Sequence, residues 1–346
     1  MSLRVMTTAA GAEFGGSETF FVSLTLALHR AGVDVHAAMK AFPIREEAFR
    51  AGGVPYVRAP FLYPPLDFWT PHVIRKVARA FKPDCVLTFT GRAGAMTPTG
   101  DYTLIGRLGG YYRLEYYKRC DYLVCNAPDL VRHVVDGGFP KEKVYFIPNF
   151  PVIHDLPAID RAEFDTPKDV PLALAMGRLH VAKAQDVLLK AVAQVPDLWL
   201  WIAGEGPDRA MLMQLAKDLG IDNRVRFLGW RTDRSALYHA ADICVFPSRT
   251  EPFGNVIVEA WTHGIPLVTA ASTGPAWLAH DGEDALIAPV DDVEGLAERI
   301  RAVLSSKELA AKLVANGHKR IEDEFSEKAV IGHYIEMFEA VRPGKR

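Results

Sequence analysis

The sequence predicts an α/β protein built as two doubly wound domains, and three observations carry that reading. Short apolar runs alternate with amphipathic stretches along the chain, the pattern of a parallel sheet with helices on both faces. The 346 residues suffice for two such units, each with its own core. Between two runs of alternation, the segment from Pro148-Asn149-Phe150-Pro151 to Pro171 is rich in proline and charge and has little periodicity, which predicts an interdomain hinge.

Forty Lys and Arg against forty-two Asp and Glu give a net charge of −2, and mean hydropathy is +0.03. That balance describes a soluble globular chain and makes no case for nucleic acid as a partner. The four cysteines, Cys85, Cys120, Cys125 and Cys244, fall in or beside predicted strands. Cys120 and Cys125 lack zinc spacing and no HExxH occurs, so reduced, buried thiols in a cytoplasmic protein without a metal site are expected. Met1-Ser2-Leu3-Arg4-Val5 enters a strand directly, leaving no room for a signal peptide, and no apolar run is long enough to cross a bilayer.

In chain order, residues 3–7 read as the first strand. Gly11-Ala12-Glu13-Phe14-Gly15-Gly16-Ser17-Glu18 follows as a glycine-rich turn into an apolar helix over 19–30. Gly15 and Gly16 allow close backbone approach at a helix N-terminus, which favours phosphate, although the spacing is not G-x-G-x-x-G. Strands are predicted at 33–39, 55–58, 84–89, 102–108, 121–126 and 143–147, and helices at 44–51, 68–81 and 127–135. Thr90-Gly91-Arg92-Ala93 is expected as a loop after the 84–89 strand.

Phe61-Leu62-Tyr63-Pro64-Pro65-Leu66-Asp67-Phe68-Trp69 is apolar and proline-rich, and the helix behind it carries Arg75, Lys76, Arg79 and Lys82. An aromatic edge beside a basic face suits anionic lipid headgroups, so peripheral contact with the inner face of the cytoplasmic membrane is one expectation; a packed surface helix is the other. Gly109-Gly110-Tyr111-Tyr112, with Tyr116 and Tyr117, offers rings that could stack on sugars, while the helical spacing of Tyr112 and Tyr116 suits core packing.

The second half opens with a strand at 172–176 and a loop, Gly177-Arg178-Leu179-His180-Val181-Ala182-Lys183. Arg178 and Lys183 leave the C-terminal end of a strand, where open α/β sheets bind ligands; one offers a fork of donors, the other a mobile charge. A helix at 186–195, a strand at 198–203, the turn Gly204-Glu205-Gly206-Pro207 and a strand at 224–228 running into Gly229-Trp230-Arg231 follow.

The most informative stretch is Pro247-Ser248-Arg249-Thr250-Glu251-Pro252-Phe253-Gly254-Asn255-Val256-Ile257-Val258-Glu259-Ala260. A buried strand precedes it, and an almost wholly apolar helix follows, ended by Gly264 and Pro266. Gly254 opens the backbone at the helix start, where N–H groups lack partners, so the turn is a ready anion site. Glu251 and Glu259 bracket it with seven residues between them. Carboxylates beside an anion site fit best when they accept from hydroxyls, which points to a ligand carrying both phosphate and sugar. Strands at 264–269 and 285–288 complete the second sheet, and Ser326 is expected to cap a last amphipathic helix.

Glu251 and Glu259, with Pro252-Phe253-Gly254 between them, resemble the E-x7-E signature of the retaining glycosyltransferases of family 4. The resemblance implies the GT-B fold: two doubly wound, Rossmann-like domains facing each other across a cleft. It implies an acceptor-binding domain over 1–165, a nucleotide-sugar-binding domain over 166–324, and a last helix, 325–346, that crosses back to the first. Arg178 and Lys183 match the family's diphosphate-binding loop, where glycine usually follows the lysine and this chain has Ala184. Arg178, Lys183 and Glu251 are therefore the implied catalytic residues, Glu251 holding sugar hydroxyls. Gly15, Gly16, Gly204, Arg231, Pro252, Phe253, Gly254, Asn255 and Glu259 are implied in donor binding, with Glu259 on the ribose and the backbone near Arg231 by the base. Ser272-Thr273-Gly274-Pro275 resembles a loop near the donor. Glu18, Arg92, Tyr111, Tyr112 and Asn149 are implied on the acceptor side. Arg92 stands in a region where many members carry a histidine.

Gly109-Gly110-Tyr111-Tyr112 and Ile147-Pro148-Asn149-Phe150 resemble bacterial enzymes that build lipopolysaccharide and related envelope glycans. The implied activity is metal-independent, retaining sugar transfer from a nucleotide-diphosphate-sugar to a glycan or lipid-linked acceptor, with no further cofactor. A GT-B nucleotide-sugar epimerase and a non-catalytic nucleotide- or glycan-binding subunit are the rival readings, separated by product analysis.

Overall fold

The computed structural model describes residues 2–13, 15–62, 67–153 and 156–344. Phe14 of the glycine-rich turn, 63–66 of the aromatic segment and 154–155 of the expected hinge lie outside that description. The chain divides into two compact units, one formed by Met1–Asn149 with Glu327–Arg346 and the other by Phe150–Ser326.

In the first unit the order is β1 (Arg4–Ala9), α1 (Gly16–Arg30), β2 (Asp34–Met39), α2 (Pro43–Ala51), β3 (Tyr56–Arg58), α3 (Trp69–Phe81), β4 (Cys85–Phe89), α4 (Thr90–Met96), β5 (Thr103–Leu108), β6 (Tyr122–Cys125), α5 (Pro128–Asp136) and β7 (Val144–Phe146). The strands lie in the order β3-β2-β1-β4-β5-β6-β7, every pair parallel. β4 and β5 are buried throughout, as central parallel strands covered on both faces must be. Phe21 of α1 packs edge-on against Phe49 and Phe89, with ring centroids 5.6 and 5.2 Å away.

The second unit continues with β8 (Leu172–Met176), α6 (Gln185–Ala193), β9 (Trp199–Ala203), α7 (Arg209–Asp218), β10 (Val225–Gly229), α8 (Arg234–Ala240), β11 (Ile243–Phe246), α9 (Asn255–Thr262), β12 (Leu267–Ala270), α10 (Thr273–Leu278), β13 (Leu286–Ala288), α11 (Val293–Ser305) and α12 (Lys307–Arg320). Its sheet runs β10-β9-β8-β11-β12-β13, again parallel. Strand order reverses between β1 and β4 in one unit and between β8 and β11 in the other. Those are the positions where doubly wound sheets leave a crevice at the strands' carboxyl ends. The two sheets have the GT-B architecture.

Three expectations change. Thr90-Gly91-Arg92-Ala93 is the start of α4 rather than a loop, because Gly91 and Gly94 let the helix press on Tyr116 and Tyr117: a Cβ on Gly91 would lie 2.5 Å from the Tyr116 ring. Thr273-Gly274-Pro275 likewise begins α10. The segment after Asn149 is tied to the second unit instead of hanging as a hinge. Ile159 N–H donates to the Ala236 carbonyl (3.2 Å), and the Arg161 guanidinium reaches the Ala240 carbonyl (2.9 Å) and Asp242 (3.0 Å). The unit boundary therefore falls at Asn149/Phe150, ahead of the expected 165. Helices α7, α8, α11 and α12 lie where the sequence pattern above assigns none.

The last helix, α13 (Glu327–Val341), belongs to the first unit. Arg30 grips Glu327 with one nitrogen on both oxygens (2.8 and 2.7 Å), and the Thr103 hydroxyl donates to the Val341 carbonyl (2.6 Å). At its centre Arg107, only 2% exposed, donates to the Tyr334 hydroxyl (3.2 Å) and to Asn149 Oδ1, and lies 4.3 Å from the Phe20 ring centroid. Burial pushes the Tyr334 phenol above its ordinary pKa. Tyr334→Phe should cost ~1 kcal/mol in urea denaturation, the worth of one hydrogen bond. Tyr334→Ala should cost ~4 kcal/mol, because the packing goes too.

Candidate functional site

In the second unit the loops leaving β8, β9 and β11 are drawn together by backbone contacts. Gly177 N–H donates to the Ala203 carbonyl and Leu179 N–H to the Glu205 carbonyl, both at 3.0 Å. The approach is so close that a Cβ on Gly204 would stand 1.9 Å from the Gly177 oxygen, which is why glycine occupies that turn. Arg249 N–H donates to the Ala182 carbonyl (2.9 Å), and Gly274 N–H to the Glu251 carbonyl (2.7 Å). The β8 loop closes with a single 3-10 turn, Val181–Lys183, before α6 begins.

Across the reversal of strand order, the Lys183 ammonium meets the Glu251 carboxylate, with side chains 24% and 17% exposed. Lys183 Nζ also lies 5.5 Å from the Phe246 ring centroid, a cation-π contact. Gly254, at φ 96°, turns the chain into α9, a left-handed conformation that glycine adopts without cost. Among the described residues the Phe253 and Gly254 N–H groups find no acceptor. The Phe253 ring is 2% exposed and packs towards Trp277 and Phe325, so its side chain is taken up by the core. Arg178 is exposed, and its guanidinium makes no hydrogen bond or ion pair among the described residues. The loops leaving β8 and β11 thus carry the exposed Arg178, the Lys183–Glu251 ion pair and two backbone donors without acceptors, groups of the kind that suit an anion.

Glu259 sits deeper, on the buried face of α9. One of its oxygens accepts from Arg234 and from the Tyr238 hydroxyl (3.0 Å). Burial drives its carboxyl above the ordinary pKa, against the opposing pull of Arg234 and Tyr238. Its other oxygen carries no hydrogen bond among the described residues, so the side chain is held at one end and open at the other. The Arg231 guanidinium is engaged by Asp233 (2.8 Å from Nε) and lies 5.3 Å from the Phe164 ring centroid. That leaves the backbone of this turn, rather than the charge, for a ligand.

In the first unit, Gly15 and Gly16 lead into α1, and the Glu18 carboxylate folds back over the turn: a Cβ on Gly15 would lie 2.3 Å from Glu18 Oε2. Arg45, 2% exposed, braces the same turn by donating to the Ala12 carbonyl. Arg92 donates to the Phe61 carbonyl (3.2 Å). The exposed Tyr111 hydroxyl donates to Asp129, and its ring meets His133 edge-on at 5.3 Å. Tyr112 is half-buried, and burial raises its phenol pKa even though Ser17 hydrogen-bonds to it. Core packing by Tyr112 and Tyr116 is corrected: the buried ring is Tyr117, at 1%, while Tyr116 is 38% exposed. Asn149 is 4% exposed and its side-chain oxygen accepts from Arg107.

Sequence reasoning passed over Arg45, Arg107, Arg234 and Arg249, because an arginine in one sequence reads by default as a solvated charge. Arg234 and Tyr238 did carry a signal, since their i,i+4 spacing puts both on one helix face. Among the described residues no group of three His, Cys, Asp or Glu side chains could hold a metal ion, and no helix is long and apolar enough to cross a membrane.

The family model described as Glycosyltransferase Family 4 matches residues 14–150, and the one described as Glycosyl transferases group 1 matches 158–320. The chain is 36% identical to the lipopolysaccharide core biosynthesis glycosyltransferase LpsE of Rhizobium meliloti (strain 1021), over 93% of this chain and 95% of that one. It is 34% identical to LpsD of the same strain, over 97% and 98%. The crystal structure of Anabaena HepE in complex with UDP and glucose superposes with a TM-score of 0.82 at 20% identity, covering 98% of this chain and all of that one, which is a likeness of fold.

Gly204→Ala should lower the stability of the second unit by ~2 kcal/mol or more, since its methyl meets backbone that cannot yield. Gly220→Ala, at φ 67° in open space, should cost ~1 kcal/mol from conformation alone, and urea midpoints compare the two.

Proposed function

We propose a function from one premise: the chain belongs to the family 4, or group 1, glycosyltransferases. It transfers a sugar from a nucleotide-diphosphate-sugar to a hydroxyl of a glycan or lipid-linked acceptor in the synthesis of lipopolysaccharide or another envelope glycan. The likeness to LpsE and LpsD over nearly the whole chain supports that acceptor class. The observation that carries the chemistry is the contact of Lys183 with Glu251 between the loops that leave the neighbouring strands β8 and β11.

The bond from the anomeric carbon to the diphosphate oxygen breaks as that carbon becomes cationic. Lys183, Arg178 and the helix-start N–H groups stabilise the departing charge from fixed positions, without reorganisation at the moment of reaction. Glu251 accepts from sugar hydroxyls. The open oxygen of Glu259 accepts from the ribose, with Arg234 and Tyr238 holding the carboxylate in place. The acceptor hydroxyl attacks on the face the diphosphate leaves and passes its proton to the leaving phosphate oxygen, which retains anomeric configuration. Protein cations meet the diphosphate charge, so no metal is required.

The reaction runs in the cytoplasm, and α3 meets the inner face of the membrane. Phe68 and Trp69 are 76% and 66% exposed, Arg75, Lys76 and Arg79 share the exposed side of the helix, and α3 contains no acidic residue.

Lys183→Ala should lower kcat/KM by ~10²-fold or more, the scale of a lost oxyanion-site donor. Glu259→Gln should weaken donor binding about tenfold, the loss of a charge-assisted hydrogen bond. Assays with UDP-, GDP- and ADP-sugars fix the donor, and NMR of the product reads its configuration. Inversion would refute the retaining mechanism, and loss of turnover in EDTA would refute metal independence. Co-sedimentation with anionic vesicles should fall in the Lys76→Glu/Arg79→Glu protein; equal binding to neutral vesicles would remove the lipid contact.

A further inference from the structure

We propose that Arg249 is a positioning residue for the sugar transfer, an inference that rests on the function proposed above. Its guanidinium clamps the loop bearing Lys183 onto the loop bearing Glu251. Arg249 lies two residues before Glu251, yet its side chain serves other loops. Nη1 donates to the Val181 carbonyl (2.7 Å) and to Asp186 Oδ1 (2.8 Å), Nη2 to Asp186 Oδ2 (2.8 Å), and Nε to Asp291. Its backbone N–H adds the bond to the Ala182 carbonyl (2.9 Å). Four of the five side-chain N–H groups are thus consumed inside the protein, so Arg249 does not reach the donor itself.

What the clamp encloses is Lys183 and Ala184, since Val181 precedes them and Asp186 follows. Ala184 stands at φ 53°, ψ 34°, a left-handed conformation that an alanine adopts only when its surroundings impose it. The loop therefore does not hold this shape by local preference, and a contact fixing both of its ends is required. The bidentate pair supplies one. Arg249 and Asp186 are 22% and 26% exposed, and burial, which would raise the Asp186 pKa, is outweighed by the Arg249 bonds that lower it. A lysine keeps the charge but has no planar fork to grip Val181 and Asp186 at once.

A double-mutant cycle tests this, reading nucleotide release from UDP-glucose, GDP-mannose or ADP-glucose, whichever is turned over with water as acceptor. Arg249→Lys should lower kcat ~10-fold or more with donor KM within about threefold, since misplacing a fixed group acts on the transition state. Combined with Lys183→Ala, it should add little to the loss Lys183→Ala causes alone, because the clamp works through that lysine. A purely structural role would lower stability and leave the two losses multiplying. Asp186→Asn, close to isosteric, runs the same cycle if Arg249→Lys does not fold. Unchanged kcat in a folded clamp variant, or multiplying losses, overturns the clamp alone. Unchanged kcat in Lys183→Ala overturns the proposed function and the clamp with it.

Discussion

The contact between Lys183 and Glu251, 68 residues apart in the chain, is the interaction on which the second unit's site depends. Each side chain is largely shielded from water, so each needs an opposite charge or a ligand. Parallel topology brings them together: β8 and β11 are neighbours in the sheet although β9 and β10 intervene in sequence, and their loops leave at the same edge. In the proposed reaction the diphosphate replaces Glu251 as the partner of Lys183, and the released carboxylate turns to sugar hydroxyls.

That arrangement relies on backbone packing more than on side chains. Gly204 lets two turns touch, the Gly274 N–H fixes the Glu251 carbonyl, and the buried Phe253 ring anchors the turn before α9, where the Phe253 and Gly254 N–H groups have no acceptor among the described residues. Preorganised donors of this kind keep their orientation when a ligand arrives, which is the condition for stabilising a charge that appears only in the transition state. The first unit applies the same economy with a buried cation. Arg107 joins β5, α1, Asn149 and the returning helix around one guanidinium.

Much of this was legible in the sequence because its causes are local. Apolar runs ended by proline or glycine marked β8 and β11, and the glycine with flanking carboxylates marked the α9 turn. What stayed hidden depends on partners distant in sequence. Arg45, Arg107, Arg234 and Arg249 look like surface charges until the fold supplies their acceptors. Asn149, implied on the acceptor side, is buried and accepts from Arg107, a partner 42 residues away in the chain. Thr90-Gly91-Arg92 looked like a loop because glycine disfavours helices, yet here small residues admit the Tyr116 ring.

The most direct measurement is a crystal structure of the protein with a bound nucleoside diphosphate. The account predicts the terminal phosphate against Lys183 Nζ, the Arg178 guanidinium and the Gly254 N–H, with the Glu251 carboxylate parted from Lys183. A diphosphate bound away from the β8 and β11 loops, with Lys183 still on Glu251, would contradict it.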